Sequence, residues 1–75
     1  MVEKNFRALI ADDEPALAKY LQAKLATYWP ELKIIALAPN GLEALRIIDD
    51  ENPDVAFLDI KMPGLSGLEV AQRID

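Results

Sequence analysis

The most constraining feature of this sequence is a four-residue apolar run, Val55–Leu58, that stands between residues which break regular structure. Asn52-Pro53 precedes the run, and Met62-Pro63-Gly64 follows it shortly afterwards. Four residues are too few for a helix, and such a run predicts a strand buried on both faces, as in parallel sheets. Asp59 follows the run, at the end of a strand where ligands bind in open α/β sheets. A lone aspartate there could equally be a strand end or a loop cap.

The rest of the chain alternates between strand and helix patterns. Apolar stretches predict strands at residues 7–11 and at Leu32–Ala38. Asn40 with Glu43, and Ser66 with Glu69, predict capping boxes at the starts of the second and third helices. Apolar residues three or four apart predict the buried faces of three helices: Leu17, Leu21, Leu25 and Tyr28; then Leu42, Leu45 and Ile48; then Leu68, Val70, Ala71 and Ile74. The order β-α-β-α-β-α with short connections predicts an α/β fold with a parallel sheet and helices on both faces.

Two of the predicted strands end in carboxylates. Asp12 and Asp13 follow the first strand, and Asp59 follows the third. If these strands are parallel neighbours, the three charges meet at one edge and repel, which a bound divalent cation such as Mg²⁺ would relieve. A cation beside a carboxylate nucleophile is what phosphoryl transfer to an aspartate requires. The alternative is that the acids after the first strand only start a helix and stay solvated.

Composition excludes several other functions. The net charge of −5, from 13 acidic and 8 basic residues, argues against nucleic acid binding by this segment. Without cysteine there are no disulfides or thiolate metal sites, and without histidine the usual general base and zinc ligand are missing. No apolar run approaches the ~20 residues of a membrane span, and residues 1–6 are too polar for a signal peptide. We therefore expect a cytoplasmic protein that does not enter a membrane.

Three stretches together resemble the receiver domain of two-component response regulators. They are LIADDE at residues 9–14, APNGLEAL at 38–45 and PDVAFLDIKMPGLSGLEV at 53–70. The resemblance implies a flavodoxin-like (CheY-like) fold, of which residues 1–75 would be the amino-terminal portion. About three βα units in strand order 2-1-3 would be present, and the fourth and fifth units absent. The acidic turn and the loop after Asp59 are most similar to those of receivers attached to LytTR-type DNA-binding domains.

The resemblance also implies roles for individual residues. Asp59 matches the aspartate that accepts a phosphoryl group from a sensor histidine kinase. Asp12 and Asp13 match the acidic pair that holds Mg²⁺, with Asp13 favoured as the direct ligand, and the backbone carbonyl of Lys61 matches the third protein ligand. The residues that match the family's shape-setting loop are Met62, Pro63 and Gly67. Such a domain assists its own phosphorylation without being a classical enzyme, and it would control an output domain, expected to regulate transcription by DNA binding, outside this chain.

The chain departs from the receiver pattern in what it lacks. The Ser or Thr that ends the family's fourth strand and the lysine that ends its fifth would both lie beyond Asp75. The third strand would then have an unpaired edge, and one face of the first helix would be bare. We therefore expect this chain to be an amino-terminal fragment of a longer receiver, and we expect it to self-associate.

Three other functions compete with this interpretation. A phosphatase of the haloacid dehalogenase type also uses an aspartate nucleophile, but it needs an acid two residues later, where this chain has Lys61. A nucleotide- or flavin-binding module needs a glycine-rich loop, and the chain has only three glycines. A receiver-like interaction domain without phosphorylation stays open, although the presence of Asp12, Asp13 and Asp59 argues against loss of the chemistry.

Overall fold

A computed structural model of the chain describes residues 6–59, 62 and 66–73. The order of its elements is the predicted one, and Ile74 lies outside the described residues. The elements are β1 (Phe6–Ala11), α1 (Pro15–Tyr28), β2 (Leu32–Ala38), α2 (Gly41–Glu51), β3 (Val55–Leu58) and α3 (Gly67–Gln72). In this part of the chain, no helix combines the length and the apolar character needed to cross a membrane.

The three strands form one parallel sheet in the order β2-β1-β3, which confirms the predicted strand order. β1 is central, and its residues from Ala8 to Ala11 are at most 1% exposed. Ala8 lies opposite Val55 and Ala11 lies opposite Leu58, so β1 and β3 end at the same edge of the sheet. Ala11 also lies opposite Ala38, the last residue of β2. The residues that directly follow the three strands therefore lie at the same edge of the sheet.

The main core lies between the sheet and the helices α2 and α3. Leu9 and Ala11 point into it from β1, and it contains Ala44 of α2 and Val70 of α3. Met62, which follows β3, belongs to the same cluster and is 6% exposed. Since side chains alternate along a strand, Ala8 and Ile10 face the opposite side of the sheet, where α1 packs.

The predicted apolar faces of the helices are wrong at five positions, because Leu17 and Tyr28 of α1, Leu42 of α2, and Leu68 and Ala71 of α3 are exposed. Leu42 and Leu68 are 67% and 63% exposed, because each lies two residues before a buried residue and so about 160° around the helix from it. In α1 the small side chain of Ala18 is the buried contact, and Leu17 and Tyr28 are 51% and 78% exposed. Periodicity identified residues that share a helix face but not which face meets the sheet.

The two predicted helix caps differ in detail. At α3 the capping box is complete, because Ser66 Oγ accepts from the Glu69 N–H and the Glu69 carboxylate accepts from the Ser66 N–H. At α2 the side chain of Asn40 accepts from the Glu43 N–H at 2.9 Å. The Glu43 carboxylate, however, accepts from the Arg46 guanidinium at 2.6 Å. The second half of the predicted α2 box is replaced by this ion pair one turn along the helix.

Candidate functional site

Backbone hydrogen bonds carry the sheet pairing one residue past the ends of β1 and β3. The N–H of Asp12 donates to the carbonyl oxygen of Ala38 at 3.0 Å, and the N–H of Asp59 donates to that of Ala11 at 2.9 Å. Both aspartates are thereby held at the carboxyl edge of the sheet, with main-chain positions fixed by the neighbouring strand. This edge is the usual ligand-binding side of an open parallel sheet.

Three carboxylates converge at this edge. Asp12, Asp13 and Asp59 each offer one carboxylate oxygen, and these three oxygens lie within 4.8 Å of one another. Asp12 and Asp59 are half-buried, whereas Asp13 is exposed. The structure therefore brings together the acids that the strand order placed at one edge, although Asp12 and Asp59 are 47 residues apart in the sequence.

Asp12 also shapes the turn that follows β1. Its Oδ1 accepts a hydrogen bond from the Glu14 N–H at 2.9 Å. Glu14 is the N-cap of α1, and Pro15 occupies the first helical position, where a missing N–H costs nothing. The acidic turn is thus ordered by one of its own acids, and this order keeps Asp13 next to Asp59.

The donor set suits a hard divalent cation. Three carboxylate oxygens are the ligand type that Mg²⁺ prefers, and Mg²⁺ holds such oxygens at about 2.1 Å while keeping several waters. Oxygens spaced as in this cluster reach one ion by small side-chain rotations. Asp13, Asp12 and Asp59 therefore fit a magnesium site, with exposed Asp13 the most accessible of the three.

A depression of about 260 Å³ opens beside the carboxylates, between α1 and β3. Asp12 and Asp59 form its polar side, and apolar side chains form the rest: Leu17, Leu21, Phe57 and Leu58. Through this depression, a group can approach the Asp59 carboxylate from the side of the sheet on which α1 packs.

The remaining site predictions fall partly outside the described residues. Lys61 and Pro63 lie there, so the metal-ligand role of the Lys61 carbonyl stays a prediction. Met62 is buried in the core, and Gly67 is buried as the first residue of α3. Sequence reasoning missed Asp54, which binds the backbone of β1; its only signal was an acid directly before the third strand.

A parallel sheet in the order 2-1-3, with an acidic pair after its first strand and an aspartate after its third, has the architecture of a receiver domain. Consistent with this class, residues 8–75 match the family model described as "Response regulator receiver domain". The chain belongs to this family, the receiver domains of two-component response regulators.

Similar proteins agree with this assignment. An uncharacterized response regulatory protein of Vibrio cholerae is 49% identical over 74 residues, which are 99% of this chain and 28% of the relative. The positive alginate biosynthesis regulatory protein of Pseudomonas aeruginosa is 48% identical over 67 residues, 88% of this chain and 27% of that protein. The response regulator TrrA of Thermotoga maritima, solved in complex with Mg²⁺-BeF, has a TM-score of 0.82 at 43% identity, over 92% of this chain and 57% of TrrA. The chain thus spans little more than a quarter of the first two relatives.

Proposed function

We propose that this chain accepts a phosphoryl group on Asp59, with Mg²⁺ held by Asp13, Asp12, Asp59 and the backbone carbonyl of Lys61. The observation that carries the proposal is the convergence of three carboxylate oxygens within 4.8 Å at the carboxyl edge of the sheet. The similar TrrA was solved in complex with Mg²⁺-BeF, which supports a role for Mg²⁺ in this chain.

Each residue has a defined part in the reaction. A carboxylate oxygen of Asp59 attacks the phosphorus in line, so that an Asp59 O–P bond forms while the donor's P–N bond breaks and its imidazole leaves. Bound Mg²⁺ supplies neutralisation of charge on the phosphoryl oxygens. Asp13 and Asp12 hold and orient that ion, and the hydrogen bond from Asp59 N–H to Ala11 keeps the nucleophile at the sheet edge.

The donor we propose is a phosphohistidine of a sensor histidine kinase. This chain contains no histidine, so the phosphoryl donor belongs to another protein or domain. The chain assists its own phosphorylation and does not turn over a substrate as an enzyme does.

The wider protein context is part of the proposal. We propose that residues 1–75 are the amino-terminal portion of a receiver and that the phosphorylated state controls an output domain, a transcription regulator of the LytTR DNA-binding type. The similar regulator of alginate biosynthesis and the small share of each relative that this chain spans support this context. The cytoplasm is the compartment in which such a protein meets its kinase.

Intact-mass spectrometry after incubation with a small-molecule phosphodonor tests the function. We expect a mass increase of one phosphoryl group that requires Mg²⁺ and disappears in Asp59→Asn. Asp49→Asn is the matched control, because Asp49 is exposed on α2 and lies outside the acidic cluster. Labelling that persists in Asp59→Asn would contradict the assignment. Absence of labelling in a folded chain would favour a receiver-like interaction domain instead.

A further inference from the structure

The amino ends of β1 and β3 are tied together by two reciprocal hydrogen bonds. The carboxylate Oδ2 of Asp54 accepts from the backbone N–H of Arg7 at 2.9 Å. The backbone N–H of Asp54 donates to the carbonyl oxygen of Arg7 at 2.8 Å. Because the N–H and C=O of one strand residue point to the same side, Asp54 engages both polar backbone groups that Arg7 presents to β3.

The side chain of Arg7 extends this contact to the end of α2. Its guanidinium donates to the carbonyl oxygen of Glu51 at 2.6 Å and to the Glu51 carboxylate at 3.2 Å. Glu51 is the last residue of α2, and Asn52 follows in the left-handed conformation at φ 49°. The turn from α2 into β3 is therefore held to Arg7 at both of its ends.

This contact has the same register as the β1–β3 pairing. Arg7 and Asp54 are 47 residues apart, the same offset that pairs Ala8 with Val55 and Ala11 with Leu58. The same offset places Asp12 opposite Asp59. The Arg7–Asp54 contact thus lies directly before the first residue pair of β1 and β3, and Asp12 and Asp59 lie directly after the last pair.

The β3 strand itself specifies this register weakly. It has four residues, all apolar and all half-buried, so neither face of the strand is strongly preferred by burial alone. A slip of one residue would move Asp59 by about 3.3 Å along β1 and turn its side chain to the opposite face of the sheet.

We propose that Asp54 is a positioning residue for the phosphoacceptor. Its carboxylate fixes the register of β3 on β1 and thereby sets Asp59 against Asp12 and Asp13. The consequence for Mg²⁺ binding rests on the proposed function, whereas the claim about register does not.

Two measurements on Asp54→Ala test this role. The first is hydrogen exchange of the Asp59 amide, whose N–H is bonded to Ala11; we expect it to exchange about tenfold faster, while the Ala44 amide in α2 is unchanged. The second is calorimetric titration with Mg²⁺, in which we expect the dissociation constant to rise about three- to tenfold. Asp54→Asn keeps an acceptor oxygen for the Arg7 N–H and should restore both values.

Asn52→Ala is the matched control, because it perturbs the same turn without removing a contact to Arg7. It should leave the Mg²⁺ affinity unchanged, and it should leave the exchange rate of the Asp59 amide relative to that of the Ala44 amide unchanged. Equal changes of these two quantities in Asn52→Ala and Asp54→Ala would overturn the proposal. Unchanged exchange of the Asp59 amide in Asp54→Ala would overturn it as well. If Asp54→Ala does not fold, Asp54→Glu, whose carboxylate is displaced by one methylene, takes its place. If the unmodified chain binds no Mg²⁺, the proposed function fails, and amide exchange alone decides the role of Asp54.

Discussion

The Oδ1 atom of Asp12 accepts a hydrogen bond of 2.9 Å from the backbone N–H of Glu14. Glu14 precedes α1, and its own side chain makes no capping hydrogen bond. One oxygen of Asp12 therefore orders the start of α1, while the residue also contributes a carboxylate to the acidic cluster. This double role distinguishes Asp12 from its exposed neighbour Asp13, and we propose Asp13 as the direct metal ligand.

Variants of the two residues should separate these roles. We expect Asp13→Asn to weaken Mg²⁺ binding about tenfold or more, and Asp12→Asn to weaken it less. Asp12→Asn keeps an oxygen for the Glu14 N–H, whereas Asp12→Ala removes it and should lower the free energy of unfolding by about 1 kcal/mol. Calorimetric titration with Mg²⁺ and urea unfolding in metal-free buffer give the two quantities. A larger loss of affinity in Asp12→Asn than in Asp13→Asn would reverse the assignment.

The turn between α2 and β3 offers a second prediction. Asn52 is the only residue other than glycine with a positive φ in the described part of the chain. A side chain with a Cβ but no local hydrogen-bonding group is disfavoured in this conformation, so Asn52→Ala should lower the free energy of unfolding by about 1 kcal/mol. Asn52→Gly should leave it within about 0.5 kcal/mol of the original value. Urea unfolding of both variants checks this, and equal stabilities would contradict it.

Much of the fold could be predicted from the sequence because short apolar runs bounded by breakers identify strands without tertiary information. Residues 32–38 and 55–58 were predicted as strands with the bounds that the structure shows. The helix faces were harder, because the sheet meets small residues. Ala18 and Ala44 are the buried contacts of α1 and α2, and alanine gives little signal in a periodicity argument.

The candidate site could be predicted for a similar reason. Strand order alone brings Asp12 and Asp59 to one edge, so the convergence needed no side-chain detail. The role of Asp54 could not be predicted, because its partner Arg7 is 47 residues away. Local sequence does not specify the register between two parallel strands. An acid before a strand is indistinguishable in sequence from an ordinary solvated turn residue.

The core between the sheet and α2 should respond strongly to truncation. Leu9 is fully buried among Ala44, Met62 and Val70, so Leu9→Ala should cost about 2–5 kcal/mol. A domain of this length is stable by only about 4–11 kcal/mol, and the variant should be close to unfolding. The control is Leu42→Ala, which truncates a leucine that is 67% exposed and should change stability by no more than about 0.5 kcal/mol. Similar urea midpoints for the two variants would contradict the assigned core.

The free side of β3 should make the chain self-associate. Within the described residues β3 pairs with β1 alone, and its half-buried apolar side chains continue into the depression lined by Leu17 and Phe57. Unpaired apolar strand edges pair with other chains, so we expect the sedimentation coefficient to rise with protein concentration. Leu17→Lys places a charge beside this edge and should shift the equilibrium towards monomer. Leu42→Lys adds the same charge at an exposed leucine of α2 that does not line the depression, and it should leave association unchanged. A monomer at all concentrations, with a sharp melting transition that does not depend on concentration, would show that this edge does not drive association.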